Sequence, residues 1–103
     1  MTSFGLSFDH WKLLERILIT PLKSHGVRLW VFGSRARGDF KKFSDLDILY
    51  QLPEEGQPLP SGFLSTIAEQ LEDSRLPIRV DLVDQKNVAD SYYASIMKDK
   101  VAI

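Results

Sequence analysis

Two groups of residues, close together in the chain, have the types and spacing to act on a phosphate. Gly33-Ser34 is followed, after ten intervening residues, by Asp45-Leu46-Asp47. A glycine lets backbone come close to a ligand. Ser34 adds a hydroxyl and can cap the short Arg35-Ala36-Arg37 turn, whose leading N–H groups would attract an anion. Two aspartates on alternate strand positions point the same way, with Cα atoms roughly 6.5–7 Å apart. Side by side they repel and raise each other's pKa, and a divalent cation removes that penalty. Magnesium takes oxygen ligands and completes its shell with water and substrate phosphate. A phosphate-holding turn and a metal-holding acid pair within fifteen residues suit an enzyme that moves a nucleotide better than a binding module.

A third acid repeats the pattern. In Val80-Asp81-Leu82-Val83-Asp84, Asp81 alternates with the core-like Val80 and Leu82. If this strand lies beside the one carrying Asp47, Asp81 joins Asp45 and Asp47. Three carboxylates can hold two metals about 3.5–4 Å apart, a geometry for in-line phosphoryl displacement. Asp45 and Asp47 are then expected to bind both ions, and Asp81 to hold the second and help deprotonate the attacking hydroxyl. Asp84 falls on the other face and reads as a strand-end residue. Between the two groups lies a basic loop. Arg35, Arg37, Lys41 and Lys42 against Asp39 are four cations and one acid, a net +3. Any of these cations could neutralise a triphosphate; Arg35, Lys42 and Ser44 are the expected nucleotide contacts beside Gly33 and Ser34. Taken singly, an Asp-x-Asp is also a strand cap and a basic loop is also ordinary surface. Their meeting on one rim, if the two strands pair antiparallel, is what favours the chemical reading.

The elements that must position these residues read as follows. Ser7 can cap a helix carrying Trp11, Leu13, Leu14, Ile17 and Leu18, which Pro21 should end or kink and Gly26 close. Residues 28–32 (Arg-Leu-Trp-Val-Phe) read as a strand and 45–52 as a second. Residues 53–60, with three prolines and a glycine, are a loop. Ser61 can cap a helix with Leu64, Ile67, Ala68 and Leu71 on one stripe. Pro77 stops that segment before a third strand at 78–83. Residues 87–98 are expected to be helical, with Val88, Tyr92 and Ile96 on one face, so that Tyr92 and Tyr93 are read as packing residues before they are read as acceptors of a nucleotide. Helix, strand, strand, helix, strand, helix predicts an α/β fold, helices over a small sheet, with a sheet edge left exposed or paired with another chain.

The composition agrees. A chain of 103 residues, 44% hydrophobic and 26% charged, is one domain with one modest core. A formal charge of −1 supplies no global basic field for nucleic acid. The absence of cysteine excludes disulfides, thiolate nucleophiles and zinc-thiolate sites. No apolar run is long enough to span a bilayer, and Met1-Thr2-Ser3-Phe4 lacks the features of a signal peptide, so a cytoplasmic protein is expected. His10 and His25 have no partners at zinc spacing and read as surface; Trp30 reads as core or interface.

Gly33-Ser34, ten residues, then Asp45-x-Asp47 resembles the signature of the DNA polymerase β-like nucleotidyltransferase superfamily. The local form Gly-Ser-Arg-Ala-Arg-Gly…Ser-Asp-Leu-Asp is similar to its minimal nucleotidyltransferase branch, and Asp81 matches the third carboxylate. The resemblance covers roughly residues 8–100. It implies a mixed β-sheet flanked by helices, two Mg²⁺ ions, and transfer of a nucleoside monophosphate from ATP or another nucleoside triphosphate. It also implies a partner, a separate small helical protein. In some such pairs that partner is a HEPN-type toxin ribonuclease, and the nucleotidyltransferase is the antitoxin that adds AMP to a tyrosine of it. Transfer to a small molecule, or an antitoxin that blocks its partner by contact alone, are the alternatives. The intact set of three acids argues against pure binding.

Overall fold

The computed structural model describes residues 4–56 and 58–103. Met1–Ser3 of the N-terminal segment and Gln57 of the proline-rich loop lie outside them. The first helical stretch is α1 (Phe8–Leu14), a π turn (Glu15–Ile19) and α2 (Thr20–Ser24) in direct succession. The Ser7 hydroxyl caps it, accepting the His10 N–H at 3.2 Å. Pro21 neither ends it nor leaves it regular. In α geometry its ring would collide with the carbonyl of Ile17, and its missing N–H would leave that carbonyl without a donor. The widened π turn falls where that conflict arises. Gly26, at φ +79°, then closes the helix: its N–H reaches the Lys23 carbonyl at 3.0 Å, and that of Val27 reaches Leu22 at 3.2 Å.

Four strands follow in the spatial order β3-β2-β1-β4, with β1 at Arg28–Phe32, β2 at Leu46–Gln51, β3 at Val80–Asp84 and β4 at Val101–Ala102. The pairs β1–β2 and β1–β4 are antiparallel, and β2–β3 is parallel. The sheet is therefore mixed. The expected Arg35-Ala36-Arg37 turn is α3 (Ser34–Arg37), a full helical turn in which Ser34 is the first residue and Gly33, not the Ser34 hydroxyl, stands at the cap. One short element was not anticipated: β4 is a strand of two residues defined by its pairing to β1. Both sheet edges are held by strands paired on one side only, among the described residues.

One face of the sheet carries the core. Leu14, Leu18 and Leu22, four residues apart on the first helical stretch, are fully buried against Leu29 and Val31 of β1 and Leu46 and Ile48 of β2. Ile67 and Leu71 of α4 (Phe63–Asp73) complete it. Ser61 does not cap α4. Gly62, at φ +76° and ψ +4°, stands at the cap in a turn closed by the Phe63 N–H on the Pro60 carbonyl, a backbone that a serine would not adopt without strain. The other face, carrying Phe32, Asp47, Asp81 and Val83, is covered by α5 (Asp90–Asp99), which follows a 3₁₀ turn at Gln85–Asn87 and buries none of its own residues. Tyr92 and Tyr93 are therefore not packing residues: they are 66% and 46% exposed. No helix among the described residues is long and apolar enough to cross a membrane.

Candidate active site

The antiparallel register sets Phe32 opposite Asp47, so the end of β1 and the start of β2 share one rim. The chain leaves β1 at Gly33, which has φ +77° and ψ −156°, a region open only to glycine. A Cβ there would sit 2.5 Å from Asp47 Oδ2. The glycine therefore does two things: it permits the turn into α3 and leaves room for the Asp47 carboxylate. Ser34, the first residue of α3, is half-buried beside it. On the other side of β2, the parallel register places Asp81 of β3 directly across from Asp47, with Cα atoms about 4.8 Å apart. Leu46 and Ile48 point to the core face and anchor the strand.

Asp45 lies just before β2 and is exposed. The Asp47 carboxyl is pushed above its ordinary value, first by burial and then by the negative charges of Asp81 and Asp45, while Arg37 pulls it back. Both neighbouring acids thus bear on Asp47. They are not a ready-made cage: among the described residues, no three carboxylate or imidazole side chains are grouped to hold an ion by themselves. The cluster nevertheless fits Mg²⁺ in the way that ion is usually bound, with one or two carboxylates supplying part of the shell and substrate phosphate the rest. The like charges around a half-buried carboxylate are what a cation would neutralise.

Arg35 requires a correction. It is 3% exposed, and its guanidinium donates to three main-chain carbonyls: Ser44 at 2.9 Å, Phe4 at 2.9 Å and Lys42 at 3.1 Å. The Phe40 ring lies 4.6 Å beneath it. This side chain braces the loop and does not face a phosphate. Ser44 is also engaged in the loop, its hydroxyl accepting the Lys41 N–H at 2.9 Å, and Lys42 is exposed with its ammonium over the Phe43 ring. The cation that does line the site is Arg37. It lies between Asp99 of α5 at 2.7 Å and Asp39 at 3.2 Å, and those carboxylates hold it firmly charged.

Between the sheet and α5 runs a groove of about 480 Å³, inside the ~300–1,000 Å³ range of small-molecule sites. Gly33, Arg37, Asp47 and Asp81 form its charged wall, and Val88, Tyr92, Ser95 and Ile96 form the wall contributed by α5 and the turn before it. A hollow at the far end of β1 and β2, beside Gly26, Arg28 and Glu54, gathers a single carboxylate. Sequence reasoning named Arg37 only as one of four loop cations and Tyr92 first as a packing residue, and it missed Ser95 and Asp99 altogether. The spacing of Val88, Tyr92 and Ile96 was visible, but it reads equally as a packing stripe.

The comparisons with known proteins agree with this geometry. A family model described as a nucleotidyltransferase domain matches residues 12–103. A Haemophilus influenzae relative named "Probable protein adenylyltransferase MntA" is 39% identical over 108 residues, covering 100% of this chain and 89% of its own length. A Thermococcus cleftensis relative named "Protein adenylyltransferase MntA" is 33% identical over 79 residues, covering 76% of each. Among solved structures, one described as a candidate minimal nucleotidyltransferase has the same fold at TM-score 0.67 and 23% identity, over 95% of this chain and 97% of its own. A toxin–antitoxin structure with AMP-PNP shares the fold at TM-score 0.61 and 22% identity, over 85% of this chain and 70% of that one. The family match spans the glycine turn and all three acids, and this chain belongs to the nucleotidyltransferase domain family.

Proposed function

We propose that the chain is a Mg²⁺-dependent protein adenylyltransferase that moves AMP from ATP to a hydroxyl of a partner protein, as the antitoxin of a two-component pair whose other half is a small HEPN-type helical protein. The observation that carries this reading is the register that sets Asp81 across from Asp47, with Gly33 pressed against the same carboxylate. The names of the two relatives and the toxin–antitoxin likeness support the acceptor and the pairing.

In this reading Asp45 and Asp47 would hold Mg²⁺, and the ion when bound would neutralise charge on the triphosphate. The Gly33-Ser34 turn receives the phosphates, and Arg37 adds positive charge at the same wall. The acceptor oxygen attacks the α-phosphorus, the bond to the β-phosphate oxygen breaks, and pyrophosphate leaves. Asp81 takes the acceptor's proton. Catalysis then comes from positioning and charge neutralisation rather than from a protein nucleophile.

The test is transfer of labelled AMP from ATP to a co-expressed helical partner, followed by intact mass. Wild-type chain with Mg²⁺ is expected to add one or more AMP units. Asp47→Asn is expected to lower the rate by about 10²–10³-fold or more, and chelation of Mg²⁺ to do the same. Full activity in Asp47→Asn refutes the assignment. Undiminished inhibition of the partner by that variant, without AMP transfer, points to an antitoxin acting by contact.

A further inference from the structure

Tyr92 is 66% exposed on a helix that buries none of its residues, and it faces the groove that holds the carboxylates. Its neighbour Tyr93 lines a different hollow, with Asp84 and Lys86. The groove is divided in its chemistry. Asp47, Asp81 and Arg37 crowd charge at the sheet side, while Tyr92, Ile96 and Val88 present an aromatic and aliphatic wall, with the Ser95 hydroxyl among them. A nucleoside triphosphate is divided in the same way, with charge at the phosphates and a flat π-face at the base. Once its phosphates are drawn to the carboxylates and Gly33, the rest of the molecule has to lie along this groove.

On the reading given under Proposed function, we infer that Tyr92 is the stacking platform for the nucleotide base, so that α5 holds the nucleoside while the sheet holds the triphosphate. Stacking needs the ring and not the hydroxyl, which separates this role from that of an acceptor.

The experiment is a titration of the full chain and its variants with Mg²⁺-ATP and, separately, with Mg²⁺-tripolyphosphate, which has the charge but no base. Tyr92→Ala is expected to weaken ATP about tenfold or more, towards the affinity for tripolyphosphate, and to leave tripolyphosphate unchanged. Tyr92→Phe and Tyr93→Ala are expected to bind both as the wild type does. Because the side chain is exposed, the variants are expected to melt with the wild type, which a thermal scan checks. Wild-type ATP affinity in Tyr92→Ala overturns the inference, as does equal loss of both ligands or a loss in Tyr92→Phe. AMP found covalently on Tyr92 of the wild type overturns it too, by making the residue an acceptor. If neither ligand binds the wild type, the nucleotide reading itself falls and this inference with it. Binding of tripolyphosphate with no effect of Tyr92→Ala on ATP removes the inference alone.

Discussion

Asp47 works against the fold that holds it. Burial, then Asp81 and Asp45, raise its carboxyl above the ordinary value of 3.8. The native state therefore binds this proton more tightly than the unfolded chain does. Stability falls as pH rises from the unfolded value through the raised native one. Asn is nearly isosteric and uncharged, so Asp47→Asn is expected to melt about 2–4 °C above wild type at pH 7. The gap should close below the unfolded pKa, where both states of the wild type carry the proton. Thermal scans across pH check it, and a variant that melts below wild type at pH 7 contradicts it. The same residue would then be a liability to the fold and a requirement of the chemistry.

At the scale of elements, the loop between β1 and β2 is built around Arg35. Residue type alone put this cation among the phosphate contacts; only the fold shows it turned inward to Phe4, Lys42 and Ser44. Arg35→Met keeps the bulk and removes the donors, leaving part-buried carbonyls without partners. Urea denaturation is expected to show a loss of about 2–4 kcal/mol. A variant with the wild-type midpoint but weaker ATP binding would return the guanidinium to the phosphate. The contrast with Asp47 and Asp81 shows what could be read in advance. Strand alternation is a local rule, so the facing of Asp47 away from Leu46 and Ile48 was legible, and Asp81 needed only the pairing of β3 with β2. The strand boundaries of β1 followed from five β-prone residues between turn signals. The π turn before Pro21, the Gly62 cap and the two-residue β4 did not, because each answers a conflict or a pairing set by the tertiary fold. Tyr92 was misread for the same reason: a periodic stripe says which residues share a face, and not whether anything covers it.

At the scale of the whole molecule the sheet divides two unlike halves. One half is closed, with leucines of the first helical stretch fully buried on the inner face of β1 and β2. The other is the groove, whose outer wall is a helix without a buried residue. That helix is tied chiefly at its C-terminal end. Asp99 pairs with Arg37 at 2.7 Å, and the Lys100 ammonium lies 4.5 Å from the centre of the Trp30 ring. Beyond it, Val101 and Ala102 pair with β1, the Ile103 N–H reaches Leu29 at 3.1 Å, and Lys23 donates to the Ile103 carbonyl at 3.1 Å. The segment that follows α5 therefore fastens the groove wall to the sheet while adding little to the core. Removing Val101–Ile103 is expected to lower amide-exchange protection in α5 by about tenfold or more, as local opening becomes easier, and to weaken ATP binding. Amides of Leu29, Val31 and Ile48 should keep most of their protection, since their burial comes from the helices on the closed face. Hydrogen exchange on the truncated chain, with and without Mg²⁺-ATP, distinguishes the outcomes. Parallel loss across the sheet would mean that β4 belongs to the cooperative core, and unchanged α5 protection would mean that the Arg37–Asp99 pair and the Lys100–Trp30 contact hold the wall in place without it.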